Sequence, residues 1–185
     1  MKHIILDLDE TIINISDKPS KNDHFNFKIG AHMYYGQKRP GLDDFLTGIF
    51  ALFESVNIWT AATHDYADNV IRCIMTPTQR AQLKFMFSRE KLQVAKNGSY
   101  SKPLRKLFIT KEAIALGMNR TNTIMIDDRE EMFKNNKGNG IVIPPWTRGS
   151  NDQYLYDLLV ILQDICAMNA CVSSAKKPLF LKDFV

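Results

Sequence analysis

His3-Ile4-Ile5-Leu6-Asp7-Leu8-Asp9-Glu10-Thr11 opens with four uncharged residues in succession and then turns acidic. A strand covered on one face alternates apolar and polar residues. This one does not alternate, so it is expected inside a parallel sheet with both faces covered. It ends in acid. Asp7 and Asp9 are two apart, and in extended backbone side chains at that spacing leave on the same side. Both are therefore expected at the carboxyl edge of the sheet, where open α/β sheets bind ligands.

The same grammar recurs along the chain. Thr123-Ile124-Met125-Ile126 runs into Asp127-Asp128, Val56-Asn57-Ile58-Trp59 runs into the hydroxyl of Thr60, and Ile141-Val142-Ile143 stops at Pro144-Pro145. Helical patterns lie between them. One spans 42–53, entered through Pro40-Gly41 with Asp43 and Asp44 in its first turn; others span 65–75 and 152–168. Strands alternating with helices predict a three-layer α/β domain around a central parallel sheet. Residues 14–38 are polar, with a short hairpin expected over 25–35, and 84–101 read as a small antiparallel β insertion through Phe85 to Phe87, Leu92 to Val94 and the turn-like Asn97-Gly98. With no repeat or linker in view, residues 1–185 are expected to form a single domain.

Composition narrows the classes. The 185 residues carry 24 Lys+Arg against 20 Asp+Glu, a net charge of +4, and 45% are hydrophobic, so the chain is not a disordered one. A charge of +4 is too small to serve by itself as a nucleic-acid footprint, and no direct nucleic-acid partner is expected. Cys73, Cys166 and Cys171 form no CxxC pair and are read as reduced thiols of a cytoplasmic or nuclear protein. The apolar run after Met1 stops at Asp7, which leaves no signal-peptide core, and no stretch reaches membrane-spanning length.

If the two acid-bearing strands are both central, four carboxylates converge within a few ångströms. Like charges about 4 Å apart repel by roughly 4 kcal/mol at an effective dielectric near 20. Such a cluster needs protons or a cation, and a hard divalent ion with oxygen ligands, Mg²⁺, suits it. Acids after strands also serve as helix caps and turn formers. Two such pairs, with a hydroxyl at a third strand end, favour the chemical reading.

Leu6-Asp7-Leu8-Asp9-Glu10-Thr11 resembles the first motif of the haloacid dehalogenase superfamily of aspartate-nucleophile phosphotransferases, in its DLDET form. Further blocks follow in order: Lys38-Arg39-Pro40-Gly41, Trp59-Thr60-Ala61-Ala62 with Tyr66-Ala67-Asp68, Phe87-Ser88-Arg89-Glu90, Ser101-Lys102-Pro103, Ile126-Asp127-Asp128-Arg129 and Pro144-Pro145-Trp146. This order is similar to that of the small phosphatases acting on the C-terminal domain of RNA polymerase II, and it spans nearly the whole chain. The resemblance implies the Rossmann-like core of that superfamily. It implies Asp7 as nucleophile, Asp9 as general acid and then base, and Mg²⁺ held by Asp7, the Asp9 carbonyl and the Asp127-Asp128 pair, with Asp128 favoured. It further implies Thr60 and the Ala61 backbone N–H on the phosphate oxygens, Lys102 neutralising them and orienting Asp7, and Arg89 on the substrate. The implied substrate is a phosphoprotein or phosphopeptide, the RNA polymerase II tail being one candidate.

One departure bears on specificity. Family members often place an aromatic before a Lys-Pro pair in the loop after the first motif, where this chain has Asp17 before Lys18-Pro19. Two other readings stay open: a non-catalytic binding protein of this fold, and a phosphatase of small metabolites or nucleic-acid ends. The intact set Asp7, Asp9, Thr60, Lys102 and Asp128 favours catalysis, and the small insertion favours a peptide. His64 is expected to begin a helix, Trp59 and Trp146 to sit in the core, and Lys176-Lys177 to be a solvated pair.

Overall fold

The first strand, β1 (His3–Leu6), is buried at every residue, as its unbroken apolar run requires. The computed structural model describes residues 1–95, 98–133, 136–167 and 179–180. After β1 come β2 (Ile13–Ser16), β3 (Phe25–Ile29), β4 (His32–Lys38), α1 (Leu42–Leu52), β5 (Ser55–Trp59), α2 (His64–Ile74), α3 (Pro77–Gln82), β6 (Met86–Phe87), β7 (Gln93–Val94) and β8 (Tyr100–Ser101). They are followed by α4 (Leu104–Leu107), α5 (Lys111–Ala115), β9 (Thr123–Asp127), β10 (Gly140–Val142), α6 (Tyr154–Ala167) and β11 (Leu179–Phe180).

The main sheet has the order β11-β10-β9-β1-β5-β6, with every pairing parallel. β1 pairs with β5 on one side and β9 on the other, placing Leu6 beside both Ile58 and Ile126. The chain therefore reverses its direction of travel across the sheet at β1. That reversal opens a crevice beyond the carboxyl end of β1, the general ligand position in such sheets.

Alternation along the strands builds two cores. Ile4, Leu6, Val56, Ile58, Ile124 and Ile126 pack with residues of α1, α2 and α6, whereas Ile5, Trp59 and Met125 pack with Leu104, Leu107, Ala113 and Phe133. Three layers result, as expected from the strand and helix alternation. Truncating a fully buried residue such as Leu6 to Ala is expected to cost about 2–5 kcal/mol. Trp59 and Trp146 lie in the interior, each 2% exposed.

Helix boundaries follow local chemistry. His64 begins α2, and α3 is held by a capping box in which the Thr76 hydroxyl accepts from the Gln79 N–H, with Pro77 in the first turn. α1 starts after Gly41, whose φ of 79° is left-handed and whose Cα lies so close to the Tyr156 ring that an added Cβ would stand 2.7 Å from it. Glycine meets both conditions there.

The antiparallel parts differ from expectation. The hairpin predicted over 25–35 is present as β3 and β4, but it runs on to Lys38 and takes β2 as a third strand, making a β2-β4-β3 sheet. Within 84–101, only β7 and β8 pair antiparallel; Met86 and Phe87 instead extend the main sheet, parallel to Ile58 and Trp59. The apolar run Phe85 to Phe87 fits either setting, and burial against Trp59 selects the parallel one. Cys73 and Cys166 are free. Cys171, Lys176, Lys177 and Asn97 lie outside the described residues.

Candidate active site

Asp7 is the first residue past β1, and its N–H still donates to the Ile126 carbonyl at 3.0 Å, continuing the ladder with β9. Its carboxylate meets Lys102 Nζ at 2.5 Å, and the same ammonium lies 2.6 Å from Asp127 Oδ2. Lys102 is 1% exposed. Its stem is carried by the short segment between β8 and α4, where the Lys102 carbonyl accepts from Asn136 Nδ2 at 2.7 Å. Burial alone would lower the Lys102 pKa, but Asp127 and Asp7 outweigh it and hold the side chain charged.

One ammonium does not neutralise the cluster. Oxygens of Asp7, Asp127 and Asp128 converge within 4.8 Å of one another. Burial pushes each of the three carboxyl groups up to about 6, against the pull of Lys102 on Asp7 and Asp127 and of the Thr11 hydrogen bond on Asp128. The oxygens are not equally available. Asp127 faces Lys102 through Oδ2 and accepts the Arg129 N–H at 3.0 Å through Oδ1. Among the described residues, the side chain that bonds to Asp7 Oδ2 and Asp128 Oδ1 is Thr11, through its hydroxyl at 3.3 and 3.2 Å. An all-carboxylate set with excess negative charge fits a hard divalent cation, and Asp7 with Asp128 would hold it.

Asp9 stands apart from that group. It lines the same cavity of about 180 Å³, together with Asp7, Thr60, Ala61, Asp127 and Asp128. Its Oδ1, however, accepts the Tyr66 hydroxyl at 2.6 Å. Burial raises the Asp9 pKa, with the Tyr66 hydrogen bond opposing. Thr60 is buried at the end of β5; its N–H donates to the Phe87 carbonyl and its hydroxyl accepts the Ala62 N–H at 3.1 Å. Arg89 is exposed and its Nε donates to the Ala61 carbonyl at 2.8 Å, bracing the loop that carries Thr60. An adjoining groove of about 460 Å³ shares Asp9 and Ala61 with the cavity and adds Ile29, Tyr34, Tyr66 and Arg89.

The candidate site residues read from the sequence are thus brought together: Asp7, Asp9, Thr60, Ala61, Asp127 and Asp128 line one cavity, Lys102 bonds to its acids, and Arg89 lines the adjoining groove. Several that were not assigned roles lie there too. Thr11, quoted only as part of the first motif, bridges Asp7 and Asp128 and accepts the Asp128 N–H at 3.1 Å. Arg39 is 1% exposed and ties three loops: Nη1 donates to the Thr11 carbonyl and Nη2 to the Pro144 carbonyl, both at 2.8 Å, while Nε reaches the Asp152 carboxylate. A buried arginine with every arm bonded is expensive to break, because each partner would be left unpaired. Its position before Pro40-Gly41 was the only signal in the sequence. Tyr66 had none beyond its place in a motif.

Comparison with known proteins agrees with this geometry. Residues 2–172 match the family model described as NLI interacting factor-like phosphatase. The chain is 32% identical over 169 residues to the "Probable C-terminal domain small phosphatase" of Dictyostelium discoideum, covering 89% of this chain and 51% of that one. It is 31% identical over 179 residues to a CTD phosphatase-like protein, 355R, of Invertebrate iridescent virus 6, covering 89% and 97%. Among solved structures, Fcp1, an essential RNA polymerase II CTD phosphatase, superposes with a TM-score of 0.59 at 25% identity, over 94% of this chain and 52% of that one. The chain thus spans about half or less of the length of several curated relatives. From β1 to the acidic pair at the end of β9, the order of the blocks agrees with the family match over residues 2–172, and the chain belongs to the NLI interacting factor-like phosphatase family.

Proposed function

We propose that the chain is a metal-dependent phosphatase of phosphoserine and phosphothreonine in proteins, working through an aspartyl-phosphate on Asp7. The observation that carries this reading is the division of labour among the carboxylates: Asp7 is gripped by Lys102, while Asp9, two residues on, is held by Tyr66 outside the converging group. Two acids at one rim in different settings suit different roles.

In the first step an Asp7 oxygen forms a bond to phosphorus as the bond from phosphorus to the seryl oxygen breaks, and Asp9 gives its proton to that oxygen. In the second step the oxygen of a water bonds to phosphorus, its proton passes to Asp9, and the acyl-phosphate bond breaks to return the Asp7 carboxylate and release phosphate. Lys102 holds the Asp7 carboxylate in place and counters charge on the phosphoryl oxygens. Thr60, with the Ala61 N–H beside it, would donate to those oxygens, and Arg89 would meet the substrate from the groove side. Mg²⁺, held by Asp7 and Asp128 with the Asp9 carbonyl, would screen the phosphate from the carboxylates.

The groove supports a peptide rather than a small metabolite, since it runs open from Asp9 past Tyr34 and Ile29 of the three-stranded sheet. The RNA polymerase II tail is the first substrate to try, on the names of the relatives. No helix among the described residues is long and apolar enough to cross a membrane, and we place the protein in the cytoplasm or nucleus. A phosphopeptide array probed with Mg²⁺ and with EDTA tests the reading. Release of phosphate from phosphoserine peptides, stopped by EDTA and by Asp7→Asn, is expected; hydrolysis confined to sugar phosphates or 3′-phosphate oligonucleotides would overturn the substrate class.

A further inference from the structure

We propose that Tyr66 is a positioning residue that keeps the Asp9 carboxyl out of the cation-binding cluster and ready for proton transfer; this rests on the phosphatase reading above. Among the described residues Tyr66 is the one side chain recorded in a hydrogen bond to the Asp9 carboxyl, at 2.6 Å, and it spans 57 positions of sequence to make it. Asp7, Asp127 and Asp128 converge; Asp9, on the same loop as Asp7, does not. An Asp9 carboxyl free to turn would be drawn toward the same Lys102 or cation, and there its lone pairs would be occupied rather than its proton mobile.

The phenol is itself held. Its ring meets Phe27 edge-on at 5.5 Å and Tyr34 edge-on at 5.6 Å, and those two rings stack on each other at 5.2 Å. Phe27 lies on β3 and Tyr34 on β4, so the three-stranded sheet clamps the ring that orients the acid. Tyr34 also lines the groove. A peptide lying there would touch the clamp, which joins substrate binding to the placement of Asp9. Geometry of this kind matters because a displacement of about 1 Å at a reacting group can cost on the order of 100-fold in rate.

Tyr66→Phe separates the roles, since it keeps the ring in its clamp and removes the hydroxyl. Wild type, Tyr66→Phe, Asp9→Asn, the double variant and Asp7→Asn are compared on a phosphoserine peptide and on p-nitrophenyl phosphate, whose leaving group departs without a proton. For Tyr66→Phe we expect an unchanged melting temperature within about 2 °C, a KM within about threefold of wild type, and a kcat on the peptide lower by roughly 10- to 100-fold. On p-nitrophenyl phosphate the first step persists and the second slows, so a pre-steady-state burst of p-nitrophenolate should grow toward one per active site. The double variant should match Asp9→Asn, because Tyr66 acts through Asp9.

Equal loss on both substrates with no larger burst, or losses that add in the double variant, would overturn the proposal. If wild type is active and Asp7→Asn is dead while Tyr66→Phe behaves as wild type, only the role of Tyr66 falls. If wild type hydrolyses neither substrate, the phosphatase reading falls and this proposal with it.

Discussion

The two ends of the same three strands bury polar residues in opposite ways. At the amino end, His3, Ser55, Asn57 and Thr123 are all nearly inaccessible and neutral: His3 Nδ1 lies 2.9 Å from Ser55 Oγ, and Asn57 Nδ2 donates to the Ile4 carbonyl and to Ser55 Oγ. At the carboxyl end, Asp7 and Asp127 pair with the Lys102 ammonium, Asp128 converges with them, and the three acids remain in electrostatic excess. The first arrangement is bonded within itself through Ser55 and carries no carboxylate, although His3 Nε2 and Asn57 Oδ1 have no hydrogen-bond partner among the described residues. The second needs a cation or a phosphate from outside, and that need is what distinguishes a working rim from a structural one.

The sharpest break in the comparison comes from exchanging function between the ends. Asp7→Asn is expected to lower Mg²⁺-dependent hydrolysis of p-nitrophenyl phosphate by about 10³-fold or more, because a neutral amide is a poor nucleophile. Ser55→Ala at the other end should leave kcat within about twofold. Steady-state kinetics on both variants checks this, and comparable losses would erase the distinction.

Lys102→Met is the next largest in effect. It strands Asp7 and Asp127 as buried carboxylates without their partner. Losing one member of such a set is expected to cost about 3–5 kcal/mol in stability, seen as a lower urea midpoint, along with loss of turnover. A variant as stable as wild type would mean that the acids are protonated rather than paired.

The pH dependence of stability should have opposite signs at the two ends. Carboxyls raised to about 6 from an unfolded value near 4 contribute stability that is full below pH 4 and is lost as pH rises through 6. His3 is lowered, mainly by desolvation, so its contribution is present above pH 6.5 and is lost as pH falls through its folded value. Metal-free protein should therefore lose part of its melting temperature between pH 5 and 7.5, and 5 mM Mg²⁺ should restore more of it at 7.5 than at 5. Thermal melts with Mg²⁺ and with EDTA measure this. His3→Asn should steepen the net fall with pH by removing the opposing contribution; a Mg²⁺ effect larger at pH 5 would contradict the assignment.

Smallest in effect is Ser55→Ala itself, which removes the shared partner of His3 and Asn57 and should cost about 1–3 kcal/mol by leaving buried groups unpaired.

The parallel sheet, the helices over 42–53 and 65–75, and the acids at the strand ends were legible in the sequence because they are local. Burial on both faces prints an unbroken apolar run, a helix prints its period, and a strand end prints a change to acid within one or two residues. What the linear order left open was every choice between equally apolar or equally polar alternatives. Phe85 to Phe87 could serve a hairpin or the sheet edge, and packing against Trp59 chose the edge. Residues 13–16 are too short and mixed to announce a third strand, and pairing with β4 made them one. Lys102 reaches Asp7 across 95 positions and Asp127 across 25, Arg39 reaches Thr11 and Asp152, and Tyr66 reaches Asp9. Hydrogen bonds over such separations depend on how layers stack, and no pattern within a few residues of either partner records that. The sequence by itself determined which residues could be chemical; the stacking of three layers decided which acid is gripped by a lysine and which is set apart by a tyrosine.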